Sequence, residues 1–95
     1  MRKIEQKMLH AICNRENFRE SNTQVVINSK CLYVKLYDTI IYVLRNGLEY
    51  YSDGGFNTVT TSSRLRALGA NYSTNIKKNK VDLLSQNEMF QLCRA

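Results

Sequence analysis

The chain has 95 residues, of which 43% are hydrophobic and 23% are charged, as expected for one globular domain spanning residues 1–95. It carries 14 Lys and Arg against 8 Asp and Glu, and this net charge of +6 favours an anionic partner, nucleic acid first and an acidic protein surface second. The composition excludes a disordered chain, and three widely spaced cysteines exclude a disulfide framework.

The first predicted element is a helix from Arg2 to Cys13. Its apolar residues recur at i, i+4, i+7 and i+8, which is the spacing of one helix face. These residues are Ile4, Met8, Ala11 and Ile12. Lys3, Lys7 and His10 fall on a neighbouring face, and the polar residues 14–22 predict a loop.

Three strands are predicted next, over residues 23–27, Cys31–Tyr37 and Ile40–Arg45, with a turn at Asp38 and Thr39. The middle strand alternates, which is typical of a strand with one buried side. One side carries Leu32, Val34 and Leu36, and the other carries Tyr33, Lys35 and Tyr37.

Asn46-Gly47 lies between two apolar runs, and both residues tolerate the positive φ of a two-residue type I′ turn. The predicted hairpin pairs Arg45 with Leu48, and the pairs Val43–Tyr50 and Ile41–Ser52 continue the register.

The second half of the chain has weaker signals. Residues 52–55 predict a loop and residues 56–60 a short extended segment. A short helix from Ser63 to Leu68 follows, capped by the hydroxyls of residues 60–62, with Leu65 and Leu68 buried and Gly69 just past its end. Residues 80–85 predict a strand. Residues 86–95 show no clear helix or strand pattern, and we expect Phe90 and Leu92 to anchor them to the core.

These elements predict an α+β fold, with an antiparallel sheet of about four to five strands, an N-terminal helix and a short second helix. If both helices pack on one face of the sheet, the opposite face is left open to solvent. We expect Tyr33, Lys35 and Tyr37 on that open face, where aromatic rings stack on bases and cations hold phosphates. The alternative is that the tyrosines pack against one another as ordinary strand residues.

Residues 54–81 contain no Asp or Glu but several cations, which are Arg64, Arg66, Lys77, Lys78 and Lys80. We predict that these side chains contact nucleic acid or another anionic partner. The alternative is a solvated basic face. The hydroxyl-rich start of the second helix could bind an anion through its free backbone N–H groups. The alternative is an ordinary capped helix that packs Leu65 on the sheet.

Metal binding and catalysis are not expected. His10 and Cys13 share a helix face, but a structural zinc needs four ligands, and nothing in the spacing brings Cys31 and Cys93 together.

Asp53, beside Gly54-Gly55, is the most suggestive general base, yet a role as a turn residue explains it better. No apolar run approaches the roughly 20 residues of a membrane span. We therefore expect a cytoplasmic protein that is not an enzyme and needs no cofactor.

The segment from Gly55 to Leu68 reads GFNTVTTSSRLRAL and resembles a group of small bacteriophage proteins. Their recurring pattern is an aromatic residue followed by T-x-T-T-x-S-R-L-N-A-L. Segments similar to residues 1–8 and 21–26 often accompany it. Phe56 stands where the group has tryptophan, and Arg66 where it has asparagine. The resemblance implies a phage origin, and hence the host cytoplasm, and it assigns no activity.

Two functional hypotheses follow. The first is an accessory protein that binds nucleic acid or a host complex that handles nucleic acid. The second is a protein-directed inhibitor of a host enzyme or defence system, for example an anti-CRISPR protein, acting through an exposed aromatic and arginine patch. A third and weaker hypothesis is an enzyme that uses Asp53.

Overall fold

The protein is described by a computed structural model that covers residues 2–55, 58–69 and 83–94. It has an α+β fold, as predicted. The helices are α1 (Lys3–Asn14), α2 (Val59–Ala67) and α3 (Gln86–Cys93). The strands are β1 (Phe18–Glu20), β2 (Thr23–Ile27), β3 (Leu32–Leu36), β4 (Thr39–Arg45) and β5 (Leu48–Tyr51).

The five strands form one sheet in chain order, and each strand pairs with its neighbour antiparallel. The predicted hairpin is confirmed, because Arg45 pairs with Leu48 and Val43 with Tyr50. Asn46 and Gly47 have φ of 54° and 77°, as a type I′ turn requires. The turn between β3 and β4 falls at Tyr37 and Asp38, one residue earlier than predicted.

One face of the sheet carries the first core, to which α1 and α2 contribute Met8, Ala11, Leu65 and Leu68. Leu32, Val34 and Leu36 all join this core, as their alternation predicted. The register between β3 and β4 shifts between Val34 and Lys35. The consecutive residues Ile41 and Tyr42 consequently both belong to the first core.

The opposite face was expected to be open, and this expectation is wrong. α3 packs there and forms a second core whose buried residues are Cys31, Ile40, Val43 and Met89. Ser85 and Glu88 make a capping box at the start of α3. The Gln86 side chain donates to the Ile40 carbonyl at 2.7 Å and accepts from the Ile40 amide at 2.9 Å. Met89 anchors the helix. Of the two predicted anchors, Leu92 packs against the second core, whereas Phe90 is 50% exposed.

Three smaller predictions also change. The predicted loop over residues 14–22 contains the short strand β1, in which Phe18 pairs with Val25. α2 begins at Val59, because the Thr58 hydroxyl accepts the Thr61 amide proton at 3.1 Å and caps the helix earlier than expected. In the predicted strand 80–85, only residues 83–85 are described, and Leu83 makes a single parallel bridge to Tyr51. Within the described residues, every helix is too short or too polar to cross a membrane.

Candidate functional site

A buried ion pair joins α1 to α2. Arg64 Nη1 donates to Glu5 Oε2 at 2.7 Å, and the two side chains are only 3% and 2% exposed. Arg64 Nε donates to Thr23 Oγ1 at 3.0 Å, and Nη2 donates to Asn22 Oδ1 at 3.3 Å. The Ser63 hydroxyl donates to the same Glu5 oxygen at 2.6 Å. These contacts satisfy both charges inside the protein.

The environment of Glu5 keeps its carboxylate ionised. Burial on its own raises the pKa of Glu5, but the hydrogen bonds from Ser63, Arg64 and the Arg2 amide, together with the charge of Arg64, lower that pKa below its ordinary value. Arg64, a predicted contact residue, therefore lies in the interior, with its guanidinium directed at Glu5, Thr23 and Asn22.

The same ion pair determines which charges α1 presents to solvent. Glu5 is the only carboxylate of α1, and it points inward. Arg2, Lys3, Lys7 and His10 are all exposed. We call these four residues the α1 basic face. Lys3, Lys7 and His10 recur at i, i+4 and i+7, so they lie in a row along the helix.

A groove runs between the α1 basic face and the start of β1, with a volume of about 660 Å³. Lys3, Lys7, His10 and the half-buried ring of Phe18 line it, together with the carboxylate of Glu16. Lys7 Nζ also lies 3.0 Å from Glu20 Oε1 in a pair whose side chains are 56% and 45% exposed. Such a surface pair contributes about 0–1 kcal/mol, so Glu20 holds Lys7 only weakly.

Tyr33, Lys35 and Tyr37 do not form one open aromatic surface. Tyr33 is half-buried against the second core. Burial, and then the nearby thiols of Cys93 and Cys31, raise the pKa of Tyr33. Lys35 is half-buried on β3, whereas Tyr37 lies in the following turn and is 72% exposed. Tyr42 and Tyr51 form a cross-strand pair with ring centroids 5.4 Å apart, but these rings belong to the opposite face of the sheet.

Tyr37 is unusual in its backbone as well as in its exposure. Its φ is +57°, in the left-handed region that bulky residues rarely adopt. The Tyr37 amide donates to the Asn22 carbonyl at 2.7 Å, which fixes this turn against β2. Arg19, Tyr37 and Asp38 line one depression of about 490 Å³. We call Arg19 and Tyr37 the Tyr37 patch.

The other predicted contact residues are separated. Arg66 is exposed in the last turn of α2, and its guanidinium donates to the Ser62 hydroxyl. Lys77, Lys78 and Lys80 lie outside the described residues. The prediction that Arg64 and Arg66 occupy different helix faces is confirmed, because Arg64 is buried and Arg66 is exposed.

The candidate catalytic and metal-binding residues take structural positions. Asp53 Oδ1 accepts the Gly55 amide proton at 2.9 Å, which is the geometry of a turn-stabilising aspartate. His10 is within hydrogen-bonding distance of Asn14, and Cys13 is exposed beside it. Among the described residues, His, Cys, Asp and Glu form no group of three able to hold a metal ion.

The α1 basic face was visible in the sequence but was not selected as a site. Lys3, Lys7 and His10 stand at helical spacing, and this was the available signal. Selecting them required knowing that Glu5 turns inward to meet Arg64, which lies 59 residues along the chain. Sequence reasoning instead followed the acid-free segment around Arg64.

Comparison with known proteins identifies one family. The family model described as Kyanoviridae Gp96 protein matches residues 1–91. The chain therefore belongs to this family of bacteriophage proteins, which confirms the expected relationship to small phage proteins. Searches of curated proteins and of solved structures return no significant match. The family description names no activity, so the function has to be argued from the described surfaces.

Proposed function

Starting from membership of a phage family, we propose that this chain is an accessory binding protein whose partner is nucleic acid, free or held in a host complex. The contact surface is the α1 basic face with the groove beside it. Binding of this kind needs no catalytic step and no cofactor.

The observation that carries the proposal is the separation of charge in α1. Its one carboxylate is paired with Arg64 in the interior, so Lys3 and Lys7 on the exposed side of the helix have no acidic residue of α1 beside them. A row of cations attracts the phosphate backbone irrespective of base sequence. Lys3 and Lys7 are one turn apart, about 6 Å along the helix axis, so both can contact neighbouring phosphates of one strand.

The groove adds a second type of contact. Phe18, which is half-buried, lines the groove on the β1 side, and His10 lines it on the helix side. Stacking of a base on an aromatic ring is worth about 1–3 kcal/mol. Polar side chains there, including Gln6 and Asn17, supply hydrogen-bond donors and acceptors.

The test is a fluorescence anisotropy titration of the full chain with labelled single-stranded and double-stranded DNA and RNA. We expect affinity to fall steeply from about 50 to about 200 mM salt, because phosphate contacts release counterions. Replacing Lys3 and Lys7 together by Gln should weaken binding and reduce the log–log salt slope by about two.

The matched control is the double variant Lys30→Gln and Arg94→Gln. It removes the same net charge from exposed positions outside the α1 basic face. If both double variants lose the same affinity, net charge alone explains the binding, and the proposal that the α1 basic face is the contact surface is wrong. If no nucleic acid binds at low salt, direct binding is wrong.

A second candidate function is favoured by the Tyr37 patch. An exposed tyrosine in a strained backbone beside an arginine is the kind of anchor that dominates protein interfaces. We propose as the alternative a protein-directed inhibitor of a host enzyme or defence complex that uses this patch. Capture from host lysate with and without nuclease separates the two functions. A partner that survives nuclease and is lost on Tyr37→Ala supports the inhibitor, and one that vanishes with nuclease supports nucleic acid.

A further inference from the structure

Two cysteines that are far apart in sequence meet in the second core. Cys31 precedes β3 and is buried, whereas Cys93 is the last residue of α3 and is half-buried. Both lie in the second core, where Cys93 packs against the buried cluster that contains Cys31. Both are free thiols in this structure.

One side chain positions both cysteine backbones. Asn28 Nδ2 donates to the Cys93 carbonyl at 2.9 Å, and Asn28 Oδ1 accepts the Cys31 amide proton at 2.8 Å. Arg45 Nη1 donates to the neighbouring Leu92 carbonyl at 3.3 Å. The end of α3 is thus fixed against the start of β3, and Asn28 holds the two cysteines beside each other.

We propose that Cys31 and Cys93 form a reversible disulfide that locks α3 over the second face of the sheet. The oxidant is a low-molecular-weight disulfide such as oxidised glutathione. The half-exposed Cys93 sulfur attacks one sulfur of the oxidant, losing its proton and releasing one thiol. The Cys31 sulfur then attacks the mixed disulfide, loses its proton and releases the second thiol. Overall, two protein thiols are oxidised and one small disulfide is reduced to two thiols.

The surroundings of the pair make the exchange slow at neutral pH. Burial and the adjacent Cys31 raise the pKa of Cys93 to about 12, although the positive charge of Arg45 opposes this shift. The thiolate is the attacking species, and only a small fraction of Cys93 is a thiolate at neutral pH, so the exchange is slow. Tyr33, whose own pKa is raised, is the other titratable group beside the pair. Once formed, the disulfide closes a long loop and stabilises the folded chain.

The experiment uses the folded full chain carrying Cys13→Ser, which removes the exposed thiol of α1 and leaves the pair intact. The variant is incubated with oxidised glutathione at mildly alkaline pH and analysed by intact mass and peptide mapping. We expect a loss of two hydrogens, a linked peptide containing Cys31 and Cys93, and no glutathione adduct. The melting temperature should rise by roughly 10 °C or more and return to its starting value with dithiothreitol.

The matched control adds Cys93→Ser to Cys13→Ser, which should abolish both the mass change and the melting shift. The proposal is overturned if the folded Cys13→Ser chain gains only glutathione adducts or does not react. It is also overturned if the linkage appears only in urea, because the pair would then meet only in the unfolded chain. Both of these outcomes are measured on Cys13→Ser alone, so they remain decisive even if the Cys13→Ser, Cys93→Ser control does not fold.

Discussion

Replacing Arg64 by Met tests the buried ion pair that determines the charge of α1. The substitution keeps an unbranched side chain but removes the donors to Glu5, Thr23 and Asn22. Glu5 then remains buried with only Ser63 and the Arg2 amide as donors. Leaving one partner of a buried pair uncompensated costs about 3–5 kcal/mol. A domain of this size has a total stability of roughly 5–14 kcal/mol, so the loss is a large fraction of the whole.

The assay is urea unfolding followed by circular dichroism. With a slope of about 2 kcal/mol per molar urea, Arg64→Met should lower the midpoint by about 2 M. The matched control is Lys7→Gln, which lies on α1 like Glu5; it breaks the exposed pair between Lys7 and Glu20 of β1 and should cost about 0–1 kcal/mol. The double variant Glu5→Leu and Arg64→Met should recover most of the loss, because an apolar replacement leaves no buried charge behind.

The reasoning is refuted if Arg64→Met and Lys7→Gln shift the midpoint equally. It is also refuted if the double variant is as unstable as Arg64→Met alone, since the hydrogen bonds to Thr23 and Asn22 would then matter more than the charge of Glu5.

Three further predictions concern single features. The pKa of Glu5 in the folded protein lies below its ordinary value of 4.5, so the ionised Glu5 stabilises the fold above about pH 4.5 and this stabilisation is lost as the pH falls. Urea midpoints measured from about pH 7 to about pH 3 should show the loss, and the midpoints of Glu5→Gln should depend less on pH. Tyr37→Asn should change the unfolding free energy by less than about 1 kcal/mol, because Asn tolerates positive φ, while lysate capture loses any Tyr37-dependent partner. Ser85→Ala should lower the melting temperature, since losing an N-cap costs about 1 kcal/mol; an unchanged melt contradicts the capping role.

The hairpin could be predicted because its information is local. Asn46-Gly47 specifies the turn, and the turn fixes the register of β4 and β5. The first core followed similarly from the periodicity of α1 and β3. α3 was not predicted, although the capping box of Ser85 and Glu88 is a local signal for its start. Its eight residues carry one buried anchor, Met89, and the contact of Gln86 with β4 that holds the helix on the sheet is tertiary.

The candidate site was harder to predict than the fold. Arg64 appeared to be a surface cation because its partner Glu5 is remote in sequence, and pattern reasoning has no access to such pairings. Tyr33 and Tyr37 alternate in sequence, yet β3 ends at Leu36, and α3 covers Tyr33 while leaving Tyr37 exposed. Predicting the candidate site therefore requires knowing which side chains the tertiary structure buries.

The chain-order arrangement of the sheet has a consequence for folding during synthesis. Every strand from β2 to β5 pairs with the strand made immediately before it, so none of the pairings among these five strands has to wait for a distant part of the chain. Local pairings of this kind favour rapid folding. The five strands can therefore pair as they are synthesised, with α1 already available to cover part of the face that carries the first core. That face is completed when α2 is made, and the opposite face stays exposed until α3 is synthesised.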